Sequence, residues 1–217
     1  MARSVGTDGP GRRELRRVQR QDLSRAQLLD AAEDLFGRKG FHEATLREVA
    51  ELAEFSVGSV YSFFDNKDDL FRQIFQRRGE EFGPALRAAL RPGVGSPTEQ
   101  LHRLVDVEVG FFRDHPRFGR VYLRYANATT MAVDRAVDAE VVANYTEWLA
   151  LQADLFARGQ ASGEFRSGDP EVLARLFTGM IAAYQALDPA IVSDGDDPAE
   201  RFPLADLHEM VERAFRA

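Results

Sequence analysis

The sequence predicts an all-α protein, with a three-helix N-terminal unit followed by a larger helical domain. Three observations carry that prediction. Apolar residues recur at spacings of three, four and seven, the period of one helix face. Capping signals, Ser or Thr with Glu or Gln three residues later, stand just before the first periodic stretches. Alternating β-branched runs between hairpin turns, the mark of strands, do not occur in the sequence.

The elements follow in chain order. Residues 1–20 read as a flexible basic arm: residues 1–25 hold seven Arg against three acids, a local field suited to phosphates. The same composition also describes a tail that serves only solubility. Ser24 opens the first helix with S-R-A-Q, and Leu28, Ala32, Leu35 and Phe36 line one face. Arg38 and Lys39 fall where cations favour the helix dipole, and Gly40 supplies the cap. Thr45 opens a two-turn helix with T-L-R-E, in which Glu48 reaches back to the Thr45 amide and Leu46, Val49, Ala50 and Ala53 form the apolar side. After Glu54 and Phe55, Ser56 caps a third helix, VGSVYSFF, whose Val57, Val60, Phe63 and Phe64 include its inward face. Asp65 and Asn66 stop it and cap a fourth helix from Lys67 to about Leu90, where Pro84 marks a place for a bend. The unit spans residues 21–80, with its two short helices at 45–64.

Two short helices joined by a tight turn bury little by themselves, so the first helix must supply their missing face. The second short helix is then left protruding, and a protruding helix of about two turns is what the DNA major groove admits. Its residue types agree. Gly58 has no side chain to hold the backbone away from DNA, and Ser59, Tyr61 and Ser62 offer hydroxyl donors. Lys67, at a helix N-terminus, combines an ammonium with free backbone N–H groups as a phosphate clamp, and Thr45 places its hydroxyl similarly. Thr45, Ser56 and Asn66 also read as plain helix caps, and the two roles are compatible.

The run RAQLLDAAEDLFGRKGFHEATLREVAELAEFSVGSVYSFFDNKDDL, within Ser24 to Phe71, resembles the DNA-binding region of the TetR family, the tetracycline-repressor-like regulators. The stretch GSVYSFFDNKDDL is nearly that family's own. Departures are Glu54, where a small glycine is usual in the turn, and Phe55, where a smaller aliphatic is usual. The resemblance implies that Thr45, Tyr61 and Lys67 contact phosphates while Val57, Gly58, Ser59 and Ser62 face base edges, with Ser56 at the start of that helix. Phe63 stands where the family often carries a His or Tyr that reaches the DNA backbone, so that contact is weakened. Arg47 is a further phosphate candidate, and Arg16, Arg17 and Arg20 are candidates for an adjacent minor groove. With few charged readers, readout is expected to lean on thymine methyls and DNA shape.

Beyond the RPGVGSP break at 91–97, residues 81–217 read as a helical domain. Leu101, Leu104, Val105, Val109 and Phe112 form one stripe that ends near His115-Pro116, and another helix follows through Val121 to Asn127. A long segment from about Val133 to Ser162 is broken by Gly163, Asp169-Pro170 starts the next, and SDGDDP at 193–198 precedes a last amphipathic stretch. The helices near 133–162 and 169–187 resemble the pair with which family members dimerise as a four-helix bundle. A palindromic operator needs such a dimer, because its half-sites lie about 34–36 Å apart. Phe112, Tyr122, Tyr125, Trp148, Phe177, Met180 and Tyr184 are candidates for a ligand pocket between these helices, with core or dimer interface as the alternative for each. Arg113, Arg124 and Glu147 nearby leave the charge of a small-molecule effector open.

Composition sets the limits. The formal charge of −7 divides into +1 over residues 1–78 and −8 over the remainder, so the acidity is C-terminal. There is no cysteine, and His42, His102, His115 and His208 are scattered; neither a metal site nor a cofactor is expected. No apolar leader opens the chain and no apolar run reaches eighteen residues, so neither membrane spanning nor secretion is expected and the cytoplasm is the expected location, at the nucleoid when DNA-bound. Nucleophile elbows, phosphate loops and paired His ligands are missing. The expectation is therefore a sequence-specific DNA-binding regulator, a homodimeric repressor released from double-stranded operator DNA by an effector. A TetR-like activator, or a regulator without a ligand, shares every motif.

Overall fold

The computed structural model describes residues 11–125, 139–192 and 203–217, with backbone alone at 125 and 139–141. Its helices are α1 (Arg12–Lys39), α2 (Leu46–Leu52), α3 (Val57–Tyr61), α4 (Lys67–Ala89), α5 (Pro97–Asp114), α6 (Pro116–Tyr125), α7 (Ala139–Ser162), α8 (Pro170–Leu187), α9 (Pro189–Val192) and α10 (Leu204–Phe215). Among the described residues the only β pairing is an isolated antiparallel bridge between Phe165 and Arg216, which ties the C-terminus to the turn after α7.

The local capping signals form as the sequence predicts. Thr45 Oγ1 accepts from the Glu48 amide at 3.2 Å while the Glu48 carboxylate accepts from the Thr45 amide at 3.0 Å. Ser56 caps α3 through the Ser59 amide at 3.0 Å, and Asn66 caps α4 through the Asp69 amide at 2.8 Å. Gly163, at φ 77°, follows the end of α7, and Asp169 caps α8. Two expectations need correction. The stretch from Arg12 is helical, so residues 12–20 of the expected arm are the start of α1 and Ser24 lies inside the helix rather than capping it. RRELRRVQRQDL contains neither Gly nor Pro, and Glu14 and Arg17 form an i,i+3 ion pair at 2.6 Å, so nothing stops propagation upstream to Gly11. α3 ends at Tyr61, leaving Phe63 and Phe64 just beyond it, and Val57 points outward at 38% exposure. Pro84 lies within α4 without ending it. The expected start of α7 at 133 and the end of α6 at Asn127 fall outside the described residues.

Two apolar clusters organise the chain. The first joins α1 to α4 with parts of α6 and α9, and centres on Phe36, Phe41 and Phe71, whose rings meet with centroids 5.0–5.9 Å apart. Truncating a fully buried phenylalanine here costs about 3–5 kcal/mol, so the short helices α2 and α3 are held by this cluster rather than by their own length. The second cluster packs the C-terminal part of α4 with α5, α7, α8 and α10 around Phe156, Phe177 and Phe215. Within the first cluster α1 also meets α6 and α4 through close and polar contacts. Gly37 of α1 abuts α6, where a Cβ would lie 3.1 Å from the Arg117 carbonyl, and Arg124 of α6 donates to the carbonyls of Gly37 and Arg38 at 3.3 and 3.1 Å. Glu33 of α1 is buried between Arg77 and Arg78 of α4.

Candidate nucleic-acid interface and cavity

α3 presents Val57, Gly58, Ser59, Tyr61 and Ser62 on or near the surface. Val60, fully buried, and the adjacent Phe64 fix the helix to the first cluster. Tyr61 is 58% exposed and has no hydrogen-bond partner among the described residues. A Cβ at Gly58 would meet only the Ser56 hydroxyl at 3.8 Å, so its outer side is open to close approach. The serines are already engaged within the helix: Ser56 and Ser59 share a 2.8 Å hydroxyl contact, and Ser62 donates to the Ser59 carbonyl at 2.6 Å. Such bonds hold the hydroxyls near one geometry. Glu54, in the turn before α3, takes φ 61°, the left-handed region that the usual glycine occupies without cost. Phe55 packs half-buried on the first cluster, so the larger side chain is absorbed by the core.

Arg13, Arg16, Arg17 and Arg20 lie on one face of the upstream part of α1, and with Gln21, Ser24 and Phe63 they line an open groove beside α3. Among the described residues Arg13, Arg16 and Arg20 have no acidic partner, whereas Arg17 is paired with Glu14. Arg47 is exposed and paired with Glu51 at 2.9 Å. Thr45 also donates its hydroxyl to Glu48 at 2.9 Å, so both its donor and its acceptor are used locally. Lys67 departs most from the sequence reading. Its ammonium donates to the carbonyls of Phe41, Ala44 and His42 at 2.8, 3.0 and 3.3 Å and sits 4.4 Å over the Phe41 ring. All three protons are thereby spent on tying the α1–α2 turn to the start of α4.

A cavity lies where α4, α5, α6, α7 and α8 converge. Phe112, Tyr122 and Trp148, all expected there, line it together with Phe82, Phe111, Phe118 and Tyr145. The other expected residues fall elsewhere. Phe177 is fully buried in the second cluster against Phe156 and Phe215, and Met180 packs on that cluster. The Tyr184 hydroxyl accepts from Arg113 at 3.0 Å, next to the Arg113–Asp188 ion pair at 2.6 Å. Tyr125's side chain lies outside the described residues. The polar wall is what the aromatic reading missed: Glu108, Gln152, Thr178 and Gln185. Gln152 donates to Glu108 at 2.8 Å and accepts from Thr178 at 2.9 Å, and Gln185 donates to the Glu108 carbonyl at 3.4 Å. Glu108 sits in register with the stripe of Leu101, Leu104, Val105 and Phe112, and a carboxyl on an apolar stripe is the signal that marks it. Burial pushes this carboxyl up to about 8, and pushes the Tyr122 and Tyr145 phenols up as well. The free space is about 30 Å³, room for a water or two. Among the described residues no group of His, Asp and Glu could hold a metal ion, and no helix is long and apolar enough to cross a membrane.

Comparison with known proteins agrees with this division. Residues 28–74 match the family of bacterial regulatory proteins, tetR family, and residues 94–185 match a tetracyclin repressor-like C-terminal domain. The chain is 26% identical over 168 residues to the uncharacterised HTH-type transcriptional regulator YhgD of Bacillus subtilis (strain 168), covering 76% of this chain and 85% of that one. A TetR-like transcriptional regulator from Rhodococcus sp. RHA1 is 30% identical in its solved structure, covering 88% of this chain and 93% of that one at a TM-score of 0.66. The structure of AibR in complex with isovaleryl coenzyme A and operator DNA shares the fold, at 16% identity, 88% and 97% coverage and a TM-score of 0.71.

Proposed function

The chain belongs to the TetR family and is a DNA-binding transcriptional regulator, and from that premise we propose that it is a homodimeric repressor released from a palindromic operator by a small molecule in the C-terminal cavity. The observation that carries the reading is α3, a two-capped helix anchored by Val60 and turned to solvent at Val57, Gly58 and Tyr61. In this reading Gly58, Val57, Ser59 and Ser62 meet base edges, and Tyr61 donates to a phosphate. Arg13, Arg16 and Arg20 approach flanking phosphates, because a helix is wider than the roughly 6 Å minor groove and cannot enter it as an extended arm does. Arg47 and the backbone amides near Thr45 and Lys67 supply further phosphate contacts, with the Lys67 ammonium retained inside the protein.

Dimerisation is assigned to α7 and α8. α8 turns Val172, Leu176, Gly179, Ala183 and Leu187 outward at helical spacing, the first two at 51% and 56% exposure. α7 offers the small residues Ala143, Ala150, Ala157 and Ala161 beside them. Two such helical pairs interdigitate as a four-helix bundle. An effector acts only through unequal affinity for DNA-competent and DNA-incompetent dimers. AibR, crystallised with both a coenzyme A thioester and operator DNA, supports a fold that accommodates both kinds of ligand. The coupling elements are α4, whose Phe82 and Arg78 line the cavity, and α6, whose Arg124 grips the end of α1.

The test is the double substitution Val172→Glu with Leu176→Glu, followed by light scattering and operator binding. The expected outcome is a folded monomer that no longer retains a two-half-site duplex at concentrations where the parent does. A dimer that persists removes α8 from the interface. A transcription assay on the intact operator gives the sign of regulation: transcript rising on loss of the protein supports repression, and a fall supports activation.

A further inference from the structure

Glu108 stands apart among the buried charges of the described residues. Glu33 is met by two guanidinium groups and Asp188 by Arg113. Glu108, only 7% exposed, accepts one hydrogen bond from the neutral amide of Gln152 and has no ion pair among the described residues. Its surroundings are the aromatic side chains Phe82, Phe112, Tyr122, Tyr145 and Trp148, together with Arg78, whose guanidinium is already paired with Glu33 and Glu81. The electron-rich faces of such rings attract cations and repel anions, and an uncompensated carboxyl in a water-poor cavity is unfavourable until a counter-charge arrives.

We propose that the cavity binds a small organic cation, an ammonium with alkyl or aryl substituents, whose charge is neutralised by Glu108 while its substituents pack on the surrounding rings. The inference rests on the reading of this cavity as the effector site. With the carboxyl held up to about 8 by burial, it is largely the neutral acid at pH 7. Cation binding ionises it, the O–H bond breaks, and one proton leaves to solvent as the ammonium takes its place. Affinity therefore rises from pH 6 to pH 8 and levels off above. The other groups facing this site do not reproduce that profile. The Tyr122 phenol of α6 and the Tyr145 phenol of α7 are pushed further above their ordinary range. Arg78 of α4 stays charged between Glu33 and Glu81. His115, near the end of α5, is pushed down by burial and by Arg78. α8 contributes uncharged Thr178 and Gln185 to the wall, while its Arg175 acts on Tyr145 from an exposed position.

Binding also has a mechanical consequence. The free space of about 30 Å³ is too small for a substituted ammonium, so entry parts Phe82 of α4 from Trp148 of α7, whose ring centroids are 5.1 Å apart. Arg78 is one helical turn from Phe82 and bonds Glu33 of α1 at 2.9 and 2.8 Å. Displacement of α4 is thereby passed to the helix that braces α2 and α3.

Trp148 is the single tryptophan of the chain, so its fluorescence reports the cavity. Full-length protein is titrated with phenyltrimethylammonium, with its uncharged isostere tert-butylbenzene and with benzoate, between pH 6 and pH 8.5. The expected result is at least tenfold tighter binding of the cation than of either other probe at pH 8. In Glu108→Gln, which keeps the side-chain volume and whose fold is checked by circular dichroism, that preference and the pH dependence disappear while weak binding of tert-butylbenzene survives. The proposal is overturned if the cation fails to bind, binds no better than its isostere, or keeps its advantage in the variant. Operator binding is measured in the same samples to separate the two readings. Release by all three probes alike leaves the effector reading standing without the cation. Preferential cation binding with the operator retained supports the cation site and removes its regulatory role.

Discussion

Glu33 and Glu108 occupy equivalent places in the two halves of the molecule, each on the apolar stripe of its helix and each buried, at 1% and 7% exposure. In the DNA-binding half the carboxylate is enclosed by Arg77 and Arg78 at 2.5 and 2.8 Å. In the cavity it faces aromatic rings and one glutamine. Lys67 and Tyr61 repeat the contrast within the DNA-binding half, since the lysine spends every donor on backbone carbonyls while the tyrosine keeps its hydroxyl for solvent. A polar group whose partners are already inside the protein serves the fold. One left without them is available to a ligand.

The largest expected effect comes from breaking the satisfied site. Glu33→Ala leaves two partly buried guanidinium groups facing each other and is expected to cost about 3–5 kcal/mol, read as a drop of roughly 10 °C in Tm for a chain of this size. Glu108→Gln goes the other way. A carboxyl whose folded value lies at about 8, above its ordinary 4.5, favours folding only as the neutral acid. Its contribution is fully present below pH 4.5 and declines as pH rises towards 8, at up to about 1.4 kcal/mol per pH unit. Urea denaturation from pH 5 to pH 9 should show that decline in the parent and a flat profile in the variant, which is the more stable of the two at pH 8.5. A variant destabilised at every pH would put the two glutamates in the same class.

The smaller effects refine the division. Lys67→Met removes three hydrogen bonds that brace the α1–α2 turn and is expected to lower stability by about 2 kcal/mol. Unchanged melting with weakened DNA binding would return the lysine to the phosphate role. Tyr61→Ala is expected to leave melting unchanged and weaken binding five- to tenfold on all duplexes alike, the value of about 1 kcal/mol for one phosphate contact; a change confined to base preference would move Tyr61 to the base-reading set. Glu54→Gly relieves the left-handed turn at φ 61° and is expected to raise stability by about 0.5–1 kcal/mol in thermal melts.

What the sequence made legible is what acts over short range. The caps at Thr45, Ser56 and Asn66 join side chains to amides three residues away, so three consecutive helix starts could be read directly. Long-range partners were hidden. The carbonyls that hold Lys67 lie 23 to 26 positions earlier, and periodicity alone marks Phe112 and Phe177 as inward without saying that one lines a cavity and the other a separate core. Ser24 misled because a capping pattern starts a helix only where the residues before it resist helix, and those before Ser24 do not. Glu108 was visible as a charge on an apolar stripe, a signal separate from the aromatic residues that mark the cavity's other walls.

Whether α3 reads DNA as one of a symmetric pair is tested most directly by selection of binding sites from random duplex DNA by the purified chain, at two salt concentrations. The predicted result is an inverted repeat with half-site centres one helical turn apart, bound by a dimer or a pair of dimers and still enriched at the higher salt. Enrichment of no sequence, with binding lost at modest salt, would contradict it.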